Sequence, residues 1–229
     1  MLTGMTTTTT LCFDLDGTLV DSYLDIATAL NAALQTVGAP VFEAESVKRL
    51  IGGGVVQLLA NASLKPGTEE FEQAMSVFRS SYARCLADTT GFYPGVRSLL
   101  EALRDRGIPV VVATNKPAVF TRAIARHLGF EQLGIVALAS GDETPAKKPD
   151  PSVIRLAYAR AALTSALTAS PRPFYVGDMP VDVESARAAG MRSAIVAWGF
   201  DPRGAVALSP DAFIEDPMDL IERLARMAV

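Results

Sequence analysis

Two aspartates separated by one residue follow the first apolar run of the chain. Asp14 and Asp16 come directly after Leu11–Phe13, and Gly17 and Thr18 come next. Alternation along an extended backbone places both carboxylates on the same side of the chain. Two carboxylates this close repel each other, and a divalent cation between them removes the conflict. The pair therefore indicates either a Mg2+ site or the ordinary acidic start of a loop.

A hydroxyl and an amide, Thr114 and Asn115, follow the apolar run 108–113. Together with backbone N–H groups of a turn, such side chains can hold phosphate oxygens. They are equally common at a helix start, which Pro117 also fits. Farther along, Lys148 lies in a proline-containing turn, where a fixed ammonium group can neutralise a phosphoryl group and a carboxylate.

Two more aspartates follow the apolar run 174–176. Asp178 stands directly after the run, in the position of a metal ligand. Asp182 lies near a predicted helix start, where the helix dipole favours an anion. Because acids also commonly cap helices, neither residue decides the matter alone.

The elements that must position these residues are short apolar runs separated by amphipathic helical patterns. Runs with little polar alternation are typical of strands that are covered on both faces. The alternation predicts an α/β fold with a doubly wound, Rossmann-like parallel sheet. The predicted strands are 11–13, 108–113, 135–139, 174–176 and 193–197, with a last short one at 212–214. The helical patterns between them are 95–106, 118–128, 151–163 and 181–189, and Gly107, Gly129 and Gly190 follow three of these.

One segment interrupts this rhythm, because helical patterns follow one another from residue 22 to residue 91 without a convincing strand. We expect residues 22–91 to form a helical cap inserted in an α/β core of residues 1–21 and 92–229. A small domain beside the end of the first strand overhangs the usual ligand crevice of such a sheet. The carboxylates, hydroxyl, amide and lysine follow successive strands and therefore converge on this crevice.

Composition narrows the classes of function. The 229 residues are 49% apolar with a net charge of −4 and no long run of either sign, so nothing indicates nucleic-acid binding. No apolar stretch approaches the roughly 20 residues of a membrane span. The threonine-rich start, residues 1–10, lacks the features of a secretory signal and predicts a loose tail. These features predict a soluble cytoplasmic protein without a membrane partner; they indicate no oligomeric state.

Cysteine and histidine offer little to a reactive site. Cys12 and Cys85 lack metal-ligand spacing and are expected to be reduced. His127 is the only histidine, so a histidine-rich metal site is excluded within one chain. We therefore expect chemistry that relies on carboxylates.

Taken together, these segments resemble the haloacid dehalogenase-like hydrolase superfamily, in its phosphatase branch with a helical cap. Its first motif is similar to DLDGTLVDS at 14–22, and its second to Thr114 with Asn115. Its third is similar to KPDP at 148–151, and its fourth to GD at 177–178 with Asp182. Within the superfamily, TNKP at 114–117 and the three glycines at 52–54 are most similar to those of phosphoglycolate phosphatases.

The resemblance implies a Mg2+-dependent hydrolysis of a phosphate monoester. Asp14 would be the nucleophile that forms an aspartyl-phosphate, and Asp16 the general acid and then the general base. Mg2+ would be held by Asp14, the backbone carbonyl of Asp16 and Asp178, with Asp182 in support. Met179 is a departure, since many relatives carry Ser or Thr there.

The resemblance also implies how phosphate and substrate bind. Thr114, the backbone of Asn115 and Lys148 would hold the transferring group. The partner is a small phosphorylated metabolite, with 2-phosphoglycolate as the leading candidate. In the cap, Arg49 and Gly53 are candidate substrate contacts, although a solvated arginine and a plain glycine turn are the ordinary interpretations.

Other functions remain open on the sequence. A phosphatase or phosphomutase acting on a sugar phosphate shares all four motifs, and a degenerate scaffold would give a non-catalytic phospholigand-binding protein. A dehalogenase is disfavoured because it would not need Asp16. A phosphonatase needs a cap lysine that forms a Schiff base, and the surroundings of Lys48 and Lys65 mark neither one.

Overall fold

The computed structural model describes residues 10–164 and 173–227, so the predicted tail at the start lies outside the described residues apart from Thr10. In chain order the strands are β1 (Leu11–Phe13), β2 (Val20–Asp21), β3 (Gly91–Phe92), β4 (Val110–Thr114), β5 (Ile135–Ser140), β6 (Phe174–Gly177), β7 (Arg192–Val196) and β8 (Ala212–Ile214). The helices are α1 (Tyr23–Thr36), α2 (Ala44–Val47), α3 (Gly54–Asn61), α4 (Glu69–Cys85), α5 (Val96–Asp105), α6 (Ala118–Leu128), α7 (Ser152–Leu163), α8 (Pro180–Ala188), α9 (Pro202–Ala207) and α10 (Asp219–Met227). Short 3-10 helices lie at Lys48–Leu50 and Glu131–Leu133.

The main sheet confirms the predicted fold class. Its six described strands are parallel and lie in the order β5-β4-β1-β6-β7-β8. The chain adds β4 and β5 on one side of β1 and then β6, β7 and β8 on the other. The order therefore reverses at β1, and the loops after β1, β4 and β6 meet where such sheets bind ligands.

Both faces of the sheet are covered, which explains the nearly continuous apolar runs. Along β1, Leu11 and Phe13 belong to one hydrophobic core, while Cys12 belongs to the core on the opposite face. That second core includes Val153 from α7 and Ala186 from α8. Both cysteines are free thiols, as expected.

The helical segment 22–91 holds α1 to α4, and α1 packs along α4. Its two ends are joined by the antiparallel pair β2 and β3, which the sequence did not predict because each strand has only two residues. Asp25 strengthens this junction, since its carboxylate accepts hydrogen bonds of 2.6–3.1 Å from the backbone and hydroxyl groups of Thr89 and Thr90. The assignment of residues 22–91 as a separate domain stays a prediction.

The last two helices, α9 and α10, were not predicted from the sequence. Helix α9 has only six residues and starts at Pro202, and the Asp201 carboxylate caps it. Among the described residues, no helix is both long enough and apolar enough to cross a bilayer.

Candidate active site

The residues singled out from the sequence meet at the carboxyl end of the sheet. A cavity of about 50 Å³ lies there between the sheet and the helical segment. Asp14 and Asp16 after β1, Thr114 at the end of β4, and Asn115 line its floor. The helical segment and the start of α6 supply most of its apolar wall: Ile26, Ile51, Val55, Leu58, Phe78 and Phe120.

Lys148 is a buried cation that binds two carboxylates at once. Its Nζ lies 2.9 Å from Asp14 Oδ1 and 2.7 Å from Asp182 Oδ1, and it also donates to the Tyr175 hydroxyl at 2.7 Å. Burial lowers the pKa of Lys148, but Asp14 and Asp182 outweigh burial and raise it above its usual value. Lys148 is therefore a fixed positive charge beside Asp14.

Three buried carboxylates, those of Asp14, Asp178 and Asp182, place one oxygen each within 4.8 Å of one another. Lys148 neutralises only part of this charge. Burial raises the pKa of Asp14 to about 6, although the positive charge of Lys148 opposes this shift. Burial also raises the pKa of Asp178, and the negative charges of Asp182 and Asp14 add to that rise. Among the described residues, Asp14 Oδ1 has no hydrogen bond of good geometry besides its ion pair. The excess negative charge of these three carboxylates fits a divalent cation.

The turn after β1 is shaped around Asp178. The Thr18 hydroxyl donates to Asp178 Oδ1 at 2.7 Å, and the backbone N–H of Phe200 donates to Oδ2 at 2.7 Å. Gly17 has a φ of +85°, and a Cβ at this position would lie 2.3 Å from Asp178 Oδ2. The glycine is thus required both by the backbone conformation and by the close approach of a metal-ligand candidate.

Asp182 also stabilises the turn between β6 and α8. As the third residue of α8, it accepts from the backbone N–H groups of Asp178 and Met179 at 3.0 and 2.9 Å, while its other oxygen binds Lys148. It therefore fixes the turn that carries Asp178. The Met179 thioether lies against Gly52 of the helical segment, so this side chain contacts the segment across the site.

Thr114 and Asn115 differ in how free their side chains are. Thr114 lines the cavity, and its hydroxyl accepts from the backbone N–H of Lys116 at 3.3 Å. The Asn115 amide donates to the carbonyls of Gly52 and Lys148, and its carbonyl oxygen accepts from the Lys148 N–H at 2.8 Å. The Asn115 side chain therefore links the helical segment to the lysine loop.

The two candidate substrate contacts in the cap lie outside the cavity lining. Arg49 is exposed in a 3-10 helix, and its guanidinium donates to Ser46 Oγ, so its position is that of a solvated arginine. The glycine turn follows this 3-10 helix and starts α3. Gly52 and Gly54 line the cavity, but Gly53 between them does not.

Lys116 and Tyr82 are site residues that the sequence reasoning missed. Lys116 Nζ lies 3.0 Å from each carboxylate oxygen of Asp16 and 2.6 Å from the Tyr82 hydroxyl. Ser22 donates to the same carboxylate at 2.5 Å. Tyr82 carried no signal beyond its place in an amphipathic helix, and Lys116 was noted only as part of a motif.

Comparison with known proteins places this chain in a family. Residues 11–196 match the sequence profile of the haloacid dehalogenase-like hydrolases, so the chain belongs to that family. It is 33% identical over 212 residues to a phosphoglycolate phosphatase of Pseudomonas putida, covering 89% of this chain and 75% of that protein. It is 36% identical over 192 residues to a phosphoglycolate phosphatase of Cereibacter sphaeroides, covering 82% of this chain and 84% of that one.

A solved structure shares the whole architecture. The crystal structure of a predicted phosphoglycolate phosphatase from Haemophilus somnus 129PT superposes with a TM-score of 0.84 at 29% sequence identity. The match covers 96% of this chain and 100% of that one. The fold that the two proteins share therefore includes the helical segment as well as the sheet.

Proposed function

We propose that the protein is a Mg2+-dependent phosphoric monoester hydrolase that forms an aspartyl-phosphate on Asp14, with 2-phosphoglycolate as its substrate. One observation carries this proposal: the Asp14 carboxylate lies beside a buried ammonium group and two further carboxylates, and it faces the same cavity as Asp16. A nucleophile, a second carboxylate and a fixed positive charge are what phosphoryl transfer through an enzyme carboxylate needs.

The reaction has two halves. In the first, an oxygen of Asp14 attacks phosphorus, the bond from phosphorus to the ester oxygen breaks, and Asp16 gives its proton to that oxygen. In the second, water attacks the same phosphorus and gives a proton to Asp16. The bond to Asp14 then breaks, which releases inorganic phosphate and restores the Asp14 carboxylate and the protonated form of Asp16.

The charge of the transferring group must be balanced by groups fixed before the reaction. Lys148, held between Asp14 and Asp182, supplies one positive charge. The Thr114 hydroxyl and the backbone of Asn115 supply hydrogen-bonding groups. Asp14, Asp178 and the backbone carbonyl of Asp16 would hold Mg2+, with Asp182 supporting them. When bound, the ion supplies further positive charge to the phosphoryl oxygens and the attacking carboxylate.

A small substrate is supported by the size and cover of the cavity. The cavity is small, about 50 Å³, and its upper wall is mainly apolar. A covering segment also excludes bulk water during transfer. Relatives that are phosphoglycolate phosphatases favour 2-phosphoglycolate within this size class.

The test is phosphate release from 2-phosphoglycolate, sugar phosphates, nucleotides and pyrophosphate, each with Mg2+ and with EDTA. We expect 2-phosphoglycolate to give the highest kcat/KM, and only with Mg2+. Asp14→Asn should abolish turnover, while Asp88→Asn, which changes an exposed aspartate in the same way, should not.

Three results would redirect the proposal. Activity that survives Asp14→Asn contradicts the nucleophile. Phosphoryl transfer from a sugar bisphosphate in place of release indicates a mutase. Wild-type protein that is inert on the whole panel indicates a binding protein.

A further inference from the structure

We propose that Lys116 is a positioning residue for Asp16, and that Tyr82 completes this arrangement only while the helical segment covers the site. The inference rests on the proposed acid and base role of Asp16. It concerns two residues to which the resemblance gave no role: Lys116, which belongs to TNKP at 114–117, and Tyr82 on α4.

The short side-chain contacts of Lys116 are with Asp16 and Tyr82. An ammonium group has three N–H donors. Its three short contacts are the two oxygens of Asp16, each at 3.0 Å, and the Tyr82 hydroxyl at 2.6 Å. The Lys116 side chain is only 4% exposed, so water does not compete freely for these positions. Its charge is thus committed to Asp16.

The equal distances to both oxygens fix how the Asp16 carboxylate faces the cavity. Proton transfer needs the carboxylate within about 2.6–3.2 Å of the reacting oxygen, so its orientation matters as much as its presence. Without Lys116, the described side-chain donor to Asp16 is Ser22, which binds one oxygen. A single hydrogen bond leaves the carboxylate plane free to rotate, whereas contacts to both oxygens fix its orientation.

Tyr82 connects this pair to the position of the helical segment. It lies on α4 of that segment, and its ring stacks on Phe78 of the same helix at 5.6 Å. The ring also meets Phe120 of the core helix α6 edge to face at 4.9 Å, and Lys116 Nζ lies 4.6 Å from the ring centre. If α4 moves away from the core, Lys116 loses this partner. The full set of contacts around the Lys116 ammonium group therefore exists only in the covered site.

The test is a double-mutant cycle on Lys116 and Asp16, measured with 2-phosphoglycolate and with p-nitrophenyl phosphate. We expect Lys116→Met to lower kcat about 10- to 100-fold, the usual range for losing a charge-assisted hydrogen bond, with KM changed less than about threefold. In an Asp16→Asn background, Lys116→Met should have no further effect, because Lys116 acts only through Asp16. The loss should be smaller with p-nitrophenyl phosphate, whose leaving group needs little help from an acid.

Tyr82→Phe keeps the packed ring and removes only the hydroxyl, so it serves even if Lys116→Met does not fold. We expect about a 2- to 10-fold lower kcat, again absent in the Asp16→Asn background. Lys65→Met, which removes an exposed lysine of the same segment, should leave kcat unchanged.

Other outcomes overturn the inference. A raised KM at unchanged kcat would make Lys116 a substrate ligand, and losses that multiply with that of Asp16→Asn would give it an independent role. If Asp14→Asn is inactive but either result occurs, only this inference fails. If Asp14→Asn is active, the proposed reaction fails instead.

Discussion

Lys148→Met removes a buried positive charge and keeps a side chain of similar length. In the native protein this ammonium group contacts Asp14, Asp182 and the Tyr175 hydroxyl within 2.9 Å. The Lys148 side chain is 1% exposed, as is that of Asp182. The variant therefore leaves two buried carboxylates without their partner.

The size of the effect follows from this burial. Breaking a buried ion pair by removing one partner costs about 3–5 kcal/mol, because the remaining charge stays out of water. For a chain of this length, each kcal/mol lowers the midpoint of thermal unfolding by roughly 2–4 °C, so we expect a fall of roughly 6–20 °C. Mg2+ should reduce the difference in unfolding temperature between wild type and variant, since a cation bound at the same carboxylates replaces part of the lost positive charge.

The assay is thermal unfolding by circular dichroism at pH 7.5, in EDTA and in excess Mg2+, with phosphate release measured in parallel. Lys147→Met is the matched control: it changes the adjacent lysine, which is partly exposed and forms no ion pair with the described residues. We expect it to unfold within about 2 °C of wild type, since surface changes usually alter stability by less than about 0.5 kcal/mol.

One result would refute this reasoning. If Lys148→Met and Lys147→Met unfold at the same temperature in EDTA, the pair with Asp14 and Asp182 does not stabilise the fold. A gap that Mg2+ leaves unchanged would instead show that the lost stability is not a matter of charge.

Two further predictions concern the proposed cation site. Gly17→Ala should weaken Mg2+ binding and lower the unfolding temperature, because its Cβ would lie 2.3 Å from Asp178 Oδ2. Gly107→Ala is the control, since it also has a positive φ but no described atom lies within 4 Å of its Cβ; equal losses in Mg2+ affinity, measured by calorimetry, would count against the clash. The second prediction is that metal-free protein loses stability as the pH rises from 5 to 7. Burial raises the pKa of Asp14 from 3.8 to about 6, so the folded state binds a proton that the unfolded state has released. That stability is fully present below pH 3.8 and lost as the pH passes 6; it amounts to about 3 kcal/mol and would be seen as a falling unfolding temperature in EDTA. Mg2+ should flatten this dependence, and a flat profile in EDTA would contradict it.

The sequence predicted those parts of the protein that depend on local order along the chain. Buried strands show as apolar runs, and the candidate aspartates, Thr114 and Asn115 sit within a few residues of a strand end, so the sheet and its crevice could be anticipated. Gly107, Gly129 and Gly190 all have the predicted positive φ. The predicted boundaries of the helices between the strands of the main sheet are close to the observed ones, because apolar periodicity and helix-ending glycines are local signals.

Contacts between distant residues were decided by the tertiary structure. The pair β2 and β3 is too short to leave a pattern, and it joins residues about seventy positions apart. Arg49 looked like a candidate contact, but the 3-10 helix turns it outward.

The first aspartate motif shows the same division. The spacing of Asp14 and Asp16 by itself placed two carboxylates at one strand end. Only packing decided that Asp14 pairs with Lys148 and Asp16 with Lys116, whose charge is in turn held by Tyr82 from the helical segment. The reason is physical: spacing along a strand sets the direction of a side chain, whereas the partner that fixes its charge comes from whichever element the fold brings against it.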